Sequence, residues 1–133
     1  MTHLIPRNAL IVVADGGKAM LLRDTGPVGK IALKVEKHYT LKDFVNDGPS
    51  GSRPVEQSRQ QTDEATFAKQ LAHVLTTMHD RNAFEHLVLI ADPRTLGELR
   101  EALHKHTEKT IAWTMSKDYT NSTVAEIEKA LSA

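Results

Sequence analysis

The chain has 133 residues, and its 17 Lys or Arg residues are balanced by 17 Asp or Glu residues. A chain of this length can bury a core without disulfides or a structural metal, so we expect one domain over residues 1–133. Zero net charge argues against a protein that holds nucleic acid by bulk electrostatics alone, and we expect no DNA partner. The absence of cysteine excludes a thiol nucleophile and a cysteine zinc site.

The sequence contains neither a targeting segment nor a membrane segment that we can identify. Residues 1–6 lack the charged and apolar regions of a signal peptide, and no apolar run approaches membrane-spanning length. We therefore expect a cytoplasmic protein that does not enter a membrane.

Three strands are predicted first. The apolar run at residues 9–14 is typical of a strand buried on both faces. Residues 15–17, Asp-Gly-Gly, predict a tight hairpin turn into a second strand over residues 18–23. Alternation from Lys30 predicts a half-exposed third strand. Its apolar face would be Ile31, Leu33 and Val35, and its polar face Lys34, Glu36 and His38.

Residues 41–62 have no apolar periodicity, which predicts a long loop of the kind that often carries function. A helix is predicted next, because apolar residues recur there at the spacing of one helix face. These residues are Phe67, Leu71, Val74, Leu75 and Met78.

Residues 87–91 predict another buried strand, which Asp92-Pro93 ends. Thr95 followed by Glu98 predicts a capping box that begins a helix. The apolar residues of that helix would be Leu96, Leu99 and Leu103. A last strand over residues 110–116, with one face made of Ile111, Trp113 and Met115, precedes a final helix that buries Val124, Ile127 and Leu131.

The element order is therefore βββαβαβα. Short connections and right-handed crossovers make the first, fourth and fifth strands parallel. The second and third strands then form an antiparallel meander with the first. The predicted fold is a three-layer α/β structure of the ribonuclease-H-like kind, with a mixed five-stranded sheet of order 3-2-1-4-5.

Four pieces of the chain, at residues 11–19, 67–72, 96–100 and 117–120, together carry a family resemblance. They read IVVADGGKA, FAKQLA, LGELR and KDYT, and in this order they resemble the bacterial host attachment family. That family, named for an adhesion phenotype, is similar to the middle domain of eukaryotic and archaeal peptide-release factors and of Pelota-type rescue proteins. The resemblance implies a release-factor-middle-domain-like fold and an association with translation.

Peptide-release factors carry a Gly-Gly-Gln tripeptide in the loop before the long helix, where it positions water for ester hydrolysis. The matching segment here, residues 41–62, has no Gly-Gly-Gln. The one Gly-Gly pair, Gly16-Gly17, is followed by Lys18 in a predicted hairpin. The sequence therefore gives no support for peptidyl-tRNA hydrolysis, and we expect a protein without catalysis of its own.

Asp15, Asp92 and Asp118 each follow a strand predicted to be parallel, so they could meet at one edge of the sheet. Clustered carboxylates there could bind Mg²⁺ or Mn²⁺ and support a nuclease or phosphoesterase. The alternative, which we favour, is that they are turn and cap residues.

The seven histidines show no metal-binding spacing. His104 and His106 are two residues apart at a predicted helix end, so they should point in different directions, and His73 and His79 are six apart. We expect solvated or locally bonded histidines. Since no phosphate-binding motif is present either, we expect no cofactor.

Basic residues are more suggestive of binding, because residues 1–62 carry nine Lys or Arg against six Asp or Glu. The candidate binding residues are Lys34, Arg53, Arg59, Arg94, Arg100 and Lys117. The resulting hypothesis is a non-catalytic, translation-associated or host-attachment-related domain. It would bind RNA, the ribosome or a protein partner through the meander and residues 41–62. The nuclease, and a protein–protein interaction module that affects cell attachment indirectly, are the alternatives.

Overall fold

The computed structural model describes residues 5–27, 30–45 and 59–132, and only the backbone of residues 44, 45 and 59–66. The strands are β1 (Leu10–Ala14), β2 (Lys18–Asp24), β3 (Leu33–Thr40), β4 (Leu87–Ala91) and β5 (Ile111–Ser116). The helices are α1 (Leu41–Val45), α2 (Arg59–Asp80), α3 (Pro93–Ala102), α4 (Lys105–Glu108) and α5 (Val124–Ser132).

The strands form one sheet in the order β3-β2-β1-β4-β5, as predicted. Strand β1 pairs with β2 in the antiparallel sense and with β4 in the parallel sense, and β5 continues the sheet parallel to β4. Every residue of β1 and β4 is buried, because these central strands are covered on both faces. The unbroken apolar runs of the sequence therefore mark the centre of the sheet.

Helices cover both faces of the sheet and make three layers. On one face Phe67, Leu71 and Leu75 of α2 pack with side chains of α3 against the sheet. On the other face Ile127 and Leu131 of α5 pack against it. The predicted three-layer α/β fold is confirmed. None of the helices within the described ranges is long and apolar enough to cross a bilayer.

The prediction of a loop over residues 41–62 is wrong at both ends. Helix α1 begins directly after β3, and α2 begins at Arg59, so that it has 22 residues. Residues 46–58, and with them most of the predicted loop, lie outside the described residues. Within α2, Phe67 and Leu71 are fully buried, whereas Val74, predicted to be buried, is only half-buried.

Helix α3 begins three residues earlier than the capping-box prediction requires, at Pro93 instead of Leu96. Asp92 is its N-cap, with Oδ2 accepting a hydrogen bond from the Thr95 backbone N–H at 3.2 Å, and Pro93 occupies the first helical position. Thr95 is buried inside the first turn. The helix starts at the Asp-Pro pair and not at Thr95 because proline suits the first turn, where its missing N–H costs nothing.

Both edge strands contain a bulge that changes which residues share a face. In β3 the register shifts so that Leu21 pairs with Lys37 and Leu22 with Val35, which leaves Glu36 as the extra residue. His38 consequently faces the α5 layer beside Met20, and not with Lys34 as predicted.

A similar shift in β5 leaves Ala112 extra, since Leu87 pairs with Ile111 and Val88 with Trp113. Ile111 therefore packs on the α2 side, opposite to Trp113 and Met115. The prediction that these three side chains share one face is wrong.

Candidate functional site

The carboxyl ends of β1, β4 and β5 meet at one edge of the sheet, because these strands are parallel. Open α/β sheets usually bind ligands at this edge. Asp15, Asp92 and Asp118 all follow these strands, as the sequence predicted. What each carboxylate contacts decides whether they can act together.

Asp15 organises the β1–β2 turn. Its Oδ1 accepts hydrogen bonds from the backbone N–H groups of Gly17, at 2.8 Å, and Lys18, at 2.9 Å. Its Oδ2 accepts a hydrogen bond from the Thr120 hydroxyl at 2.9 Å. The carboxylate is thus occupied in holding the turn and the segment after β5.

Asp118 contacts Thr120 as well. Its Oδ1 accepts from the Thr120 backbone N–H at 2.8 Å and also lies within hydrogen-bond distance of Thr120 Oγ1. Nearby, the Lys18 ammonium donates to Asn121 Oδ1. The structure therefore brings Asp15 and Asp118 together through Thr120.

Asp92 does not join them. Its Oδ2 caps α3, and its Oδ1 is buried without a hydrogen-bond partner in the described part of the chain. Among the described residues, the His, Cys, Asp and Glu side chains that come close enough to hold a metal as a group of three are His79, Asp80 and His106. The three aspartates are not such a group.

Two cavities lie at opposite ends of the meander. A cavity of about 250 Å³ lies near the carboxyl edge, with Val13 and Met20 on its lining and Thr120 beside it. A larger one, of about 580 Å³, is lined by the Arg23–Glu36 ion pair and by Asn8 and Asn82. Both asparagines have left-handed backbones, with φ of 65° and 60°.

The candidate binding residues fall into two groups. Arg94 and Lys117 are exposed at the carboxyl edge, with Arg94 Nε 3.9 Å from Glu98 Oε2. Lys34 and Arg100 lie toward the opposite edge. Lys34 is the residue of β3 that lies opposite Arg23 of β2 in the sheet register, and Arg100 Nε is 4.0 Å from Glu108 Oε2. The remaining two candidates, Arg53 and the side chain of Arg59, lie outside the described residues.

The bulge at Glu36 groups lysines that simple alternation would separate. Lys34 pairs with Arg23 and Lys37 with Leu21, so both lysines lie on the α2 side of the sheet. We call these two lysines, together with exposed Lys30 before β3 and exposed Lys42 after it, the lysine edge. Strand β3 itself is about 23 Å long at 3.3 Å per residue.

The acidic residues near the lysine edge are already engaged. Glu36 accepts two hydrogen bonds from Arg23, both at 3.2 Å. Asp43 Oδ2 accepts from the Thr40 backbone N–H at 2.6 Å. Buried Asp24 holds the turn before β3 by accepting from the Gly26 and Ala32 N–H groups. Arg23 balances the charge of Glu36, and the four lysines outnumber the carboxylates of Asp24 and Asp43, so the net formal charge of the lysine edge is positive.

Tyr39 lies within the lysine edge. The Lys37 Nζ atom is 5.7 Å from the centre of its ring, which places the cation over the aromatic face. Burial, and secondarily the Asp43 carboxylate, raises the pKa of Tyr39 from its usual value of 10.0. Its hydroxyl therefore remains protonated at neutral pH.

Three histidines lie together where α2 ends near α4, contrary to prediction. The ring centres of His104 and His106 are 4.1 Å apart, and those of His79 and His106 are 5.1 Å apart. His104 and His106 do not share a helix face, because His104 is the N-cap of α4 and has an extended backbone. No sequence spacing indicates the approach of His79, since it comes from another helix.

A mixed sheet of order 3-2-1-4-5 between two helical layers defines a three-layer α/β class of protein. A family model described as bacterial archaeo-eukaryotic release factor family 12 matches residues 8–131. The chain therefore belongs to this release-factor-like family, as the resemblance implied.

Comparison with solved structures supports the fold alone. A chain described as an archaeal protein has 15% sequence identity and a TM-score of 0.51, with 92% of this chain and 32% of that chain covered. The chain thus spans about a third of the archaeal protein's length. No curated protein sequence matches this chain.

Proposed function

We propose that this domain binds RNA of the translation machinery through its lysine edge, without catalysing a reaction. The observation that carries the proposal is the β3 bulge, which places Lys34 and Lys37 on one face of the sheet while Arg23 neutralises Glu36. Membership of a release-factor-like family supports a translation-associated role. We accordingly place the protein in the cytoplasm, where ribosomes are found.

The chemistry favours recognition of the phosphate backbone over recognition of base sequence. Lysine is a flexible point charge that suits single phosphate contacts. Among the described residues of the lysine edge, Tyr39 supplies one aromatic ring, and it is half-buried beneath Lys37. Proteins that bind single-stranded nucleic acid by stacking bases on aromatic side chains use several such rings. We expect binding with strong salt dependence and little sequence preference.

The sequence argues against peptidyl-tRNA hydrolysis at the place where release factors act. No Gly-Gly-Gln occurs in the chain, and Gly16-Gly17 connects β1 and β2. The nuclease alternative would use Asp15, Asp92 and Asp118 around a metal ion. It has less support, because Asp92 caps α3 while the other two carboxylates meet at Thr120.

A comparison of two charge-swap variants tests the proposal. Lys34→Glu with Lys37→Glu changes the lysine edge. Lys109→Glu with Lys129→Glu makes the same change in net charge at exposed lysines elsewhere. Binding of each to purified ribosomes and to a single-stranded RNA should be measured over a range of salt concentrations.

The lysine-edge variant should bind more weakly. The negative slope of its log K against the logarithm of the salt concentration should become shallower by about 0.7 for each phosphate of single-stranded RNA that it no longer neutralises. The control variant should behave as the unchanged protein does. Equal decreases in the affinity of both variants, or ribonuclease-resistant capture of one protein partner with no RNA affinity, would overturn the proposal. The second outcome would favour the protein–protein module. Mg²⁺-dependent RNA cleavage that Asp15→Asn abolishes would favour the nuclease.

A further inference from the structure

We propose that His79, Asp80 and His106 form a site for a divalent transition ion of the zinc type. The site joins the last turn of α2 to α4 and is separate from the lysine edge. One potential ligand atom from each of these residues lies within 4.8 Å of the others. Two imidazoles and a carboxylate are a ligand set that zinc accepts with water in the fourth position.

The first ligand, His79, is already oriented. Its Nδ1 lies 3.1 Å from the hydroxyl of Thr107, which is fully buried. Its ring also stacks on Phe84, with 5.5 Å between the centres. A fixed partner on one ring nitrogen leaves the other, Nε2, as the one that can bind an ion. Metal-binding histidines are usually held in this way.

The other two ligands already face each other. His106 Nε2 lies 2.9 Å from Asp80 Oδ1, a separation at which both atoms can bind one ion. An ion bound by these two atoms would take the place of the hydrogen bond between them. Both side chains are about half exposed, at 46% and 57%, so an ion can reach them and they can turn toward it.

The geometry requires only small side-chain movements: the His106 and Asp80 atoms, at 2.9 Å, would move slightly apart, and longer separations in the group, at most 4.8 Å, would shorten. Ligand atoms around a tetrahedral zinc ion are about 3.4 Å apart, given bonds of about 2.0–2.1 Å. The three residues lie at the end of α2 and in the short helix α4, where side chains can move without disturbing the sheet. The His104 ring packs on that of His106, with 4.1 Å between the ring centres. Imidazole ligands favour zinc, copper and nickel over magnesium.

A bound metal ion should link the end of α2 to α4. The polar interactions that join the α2 end to α4 are chiefly the His79–Thr107 and His106–Asp80 hydrogen bonds. An ion bound by residues of both segments would stabilise the folded state in proportion to its binding free energy.

The test uses the full chain without a histidine tag, because a tag would bind the same ions. Zn²⁺ binding is measured by titration calorimetry, and Co²⁺ is added as a probe whose visible absorption reports direct coordination. The variants are His79→Ala, His106→Ala and, as the matched control, His73→Ala. His73 is exposed on the same helix, six residues and about 9 Å from His79.

We expect one Zn²⁺ per chain, and a rise in Tm of about 5–10 °C at a hundredfold excess over Kd. Removing even an outer-shell partner costs about 10–100-fold in metal affinity, so each cluster variant should weaken binding at least about tenfold. The control should leave Kd within about twofold. Circular dichroism verifies that all variants fold. Absence of saturable Zn²⁺ binding, or an equal weakening in His73→Ala, would overturn the proposal.

Discussion

The hydroxyl of Thr120 donates a hydrogen bond to Asp15 Oδ2 at 2.9 Å, between residues 105 apart in the chain. The same hydroxyl lies within hydrogen-bond distance of Asp118 Oδ1, although it has one proton to give. Two carboxylates thus share one donor. This contact fastens the β1–β2 turn to the segment that leaves β5, at the edge of the sheet where ligands commonly bind.

A double-mutant cycle measures the coupling free energy between Asp15 and Thr120. Asp15→Ala, Thr120→Val and the double variant are compared by urea unfolding. Because the two side chains are in direct contact, their coupling free energy should be about 0.5–3 kcal/mol. Additive effects would mean that the hydrogen bond contributes nothing to stability.

The α2 helix provides a test of the core. Leu71 is fully buried, so Leu71→Ala should lower the free energy of unfolding by about 2–5 kcal/mol. Its neighbour Gln70 is exposed, and Gln70→Ala should change stability by less than about 0.5 kcal/mol. Equal losses of unfolding free energy in the two variants would contradict the packing of Leu71 against the sheet.

The start of α3 can be examined with two substitutions. Asp92→Ala removes the observed N-cap and should cost about 1 kcal/mol. Glu98→Ala removes the partner that a Thr95 capping box would have used, and should cost less than about 0.5 kcal/mol, because its ion pair with Arg94, at 3.9 Å, lies at the surface. The opposite ranking in thermal unfolding would restore the capping box.

Two glycines should respond oppositely to alanine. A Cβ at Gly97, inside α3, meets no atom within 4 Å, so Gly97→Ala should stabilise the protein by about 0.4–1 kcal/mol. A Cβ at Gly26 would clash with the Lys30 carbonyl oxygen, so Gly26→Ala must move backbone and should destabilise by about 1–3 kcal/mol. Denaturant midpoints of the two variants should therefore lie on opposite sides of the unchanged protein.

Tyr39 predicts a loss of stability at alkaline pH. Its pKa is raised in the folded state above the usual value of 10.0, chiefly by burial and secondarily by Asp43. Above pH 10 the unfolded chain therefore loses this proton before the folded protein does, and the free energy of unfolding falls as pH rises. Lysines titrate in the same range, so Tyr39→Phe is the reference. The unchanged protein should lose more stability than this variant as the pH rises above 10.0, and identical decreases would contradict the assignment.

The centre of the sheet could be predicted from the sequence, whereas its edges could not. Strands β1 and β4 are apolar at every position, so burial on both faces follows directly, and parallel pairing follows from the crossovers. In β3 and β5 the alternation of side chains holds only as far as a bulge. A bulge at Glu36 or Ala112 has no signature in composition, because it depends on pairing with the neighbouring strand.

The candidate site was predictable in the same uneven way. The positions of Asp15 and Asp118 at one edge follow from strand order, but the shared Thr120 hydroxyl does not, since the turn after β5 must fold back to supply it. The histidine group was missed entirely. His79 meets His106 only because α2 and α4 pack together, and spacing along the chain carries no information about such a contact.

The bulge in β3 has a further effect on assembly. An outermost strand offers unpaired backbone groups to which another chain can add, and a local twist combined with charged side chains prevents that addition. Glu36 supplies the irregularity and the neighbouring lysines supply the charge, so copies of this domain should not join through their β3 edges. Replacing those lysines by apolar residues would remove this protection and promote self-association, whereas glutamate keeps the strand charged and the chains apart.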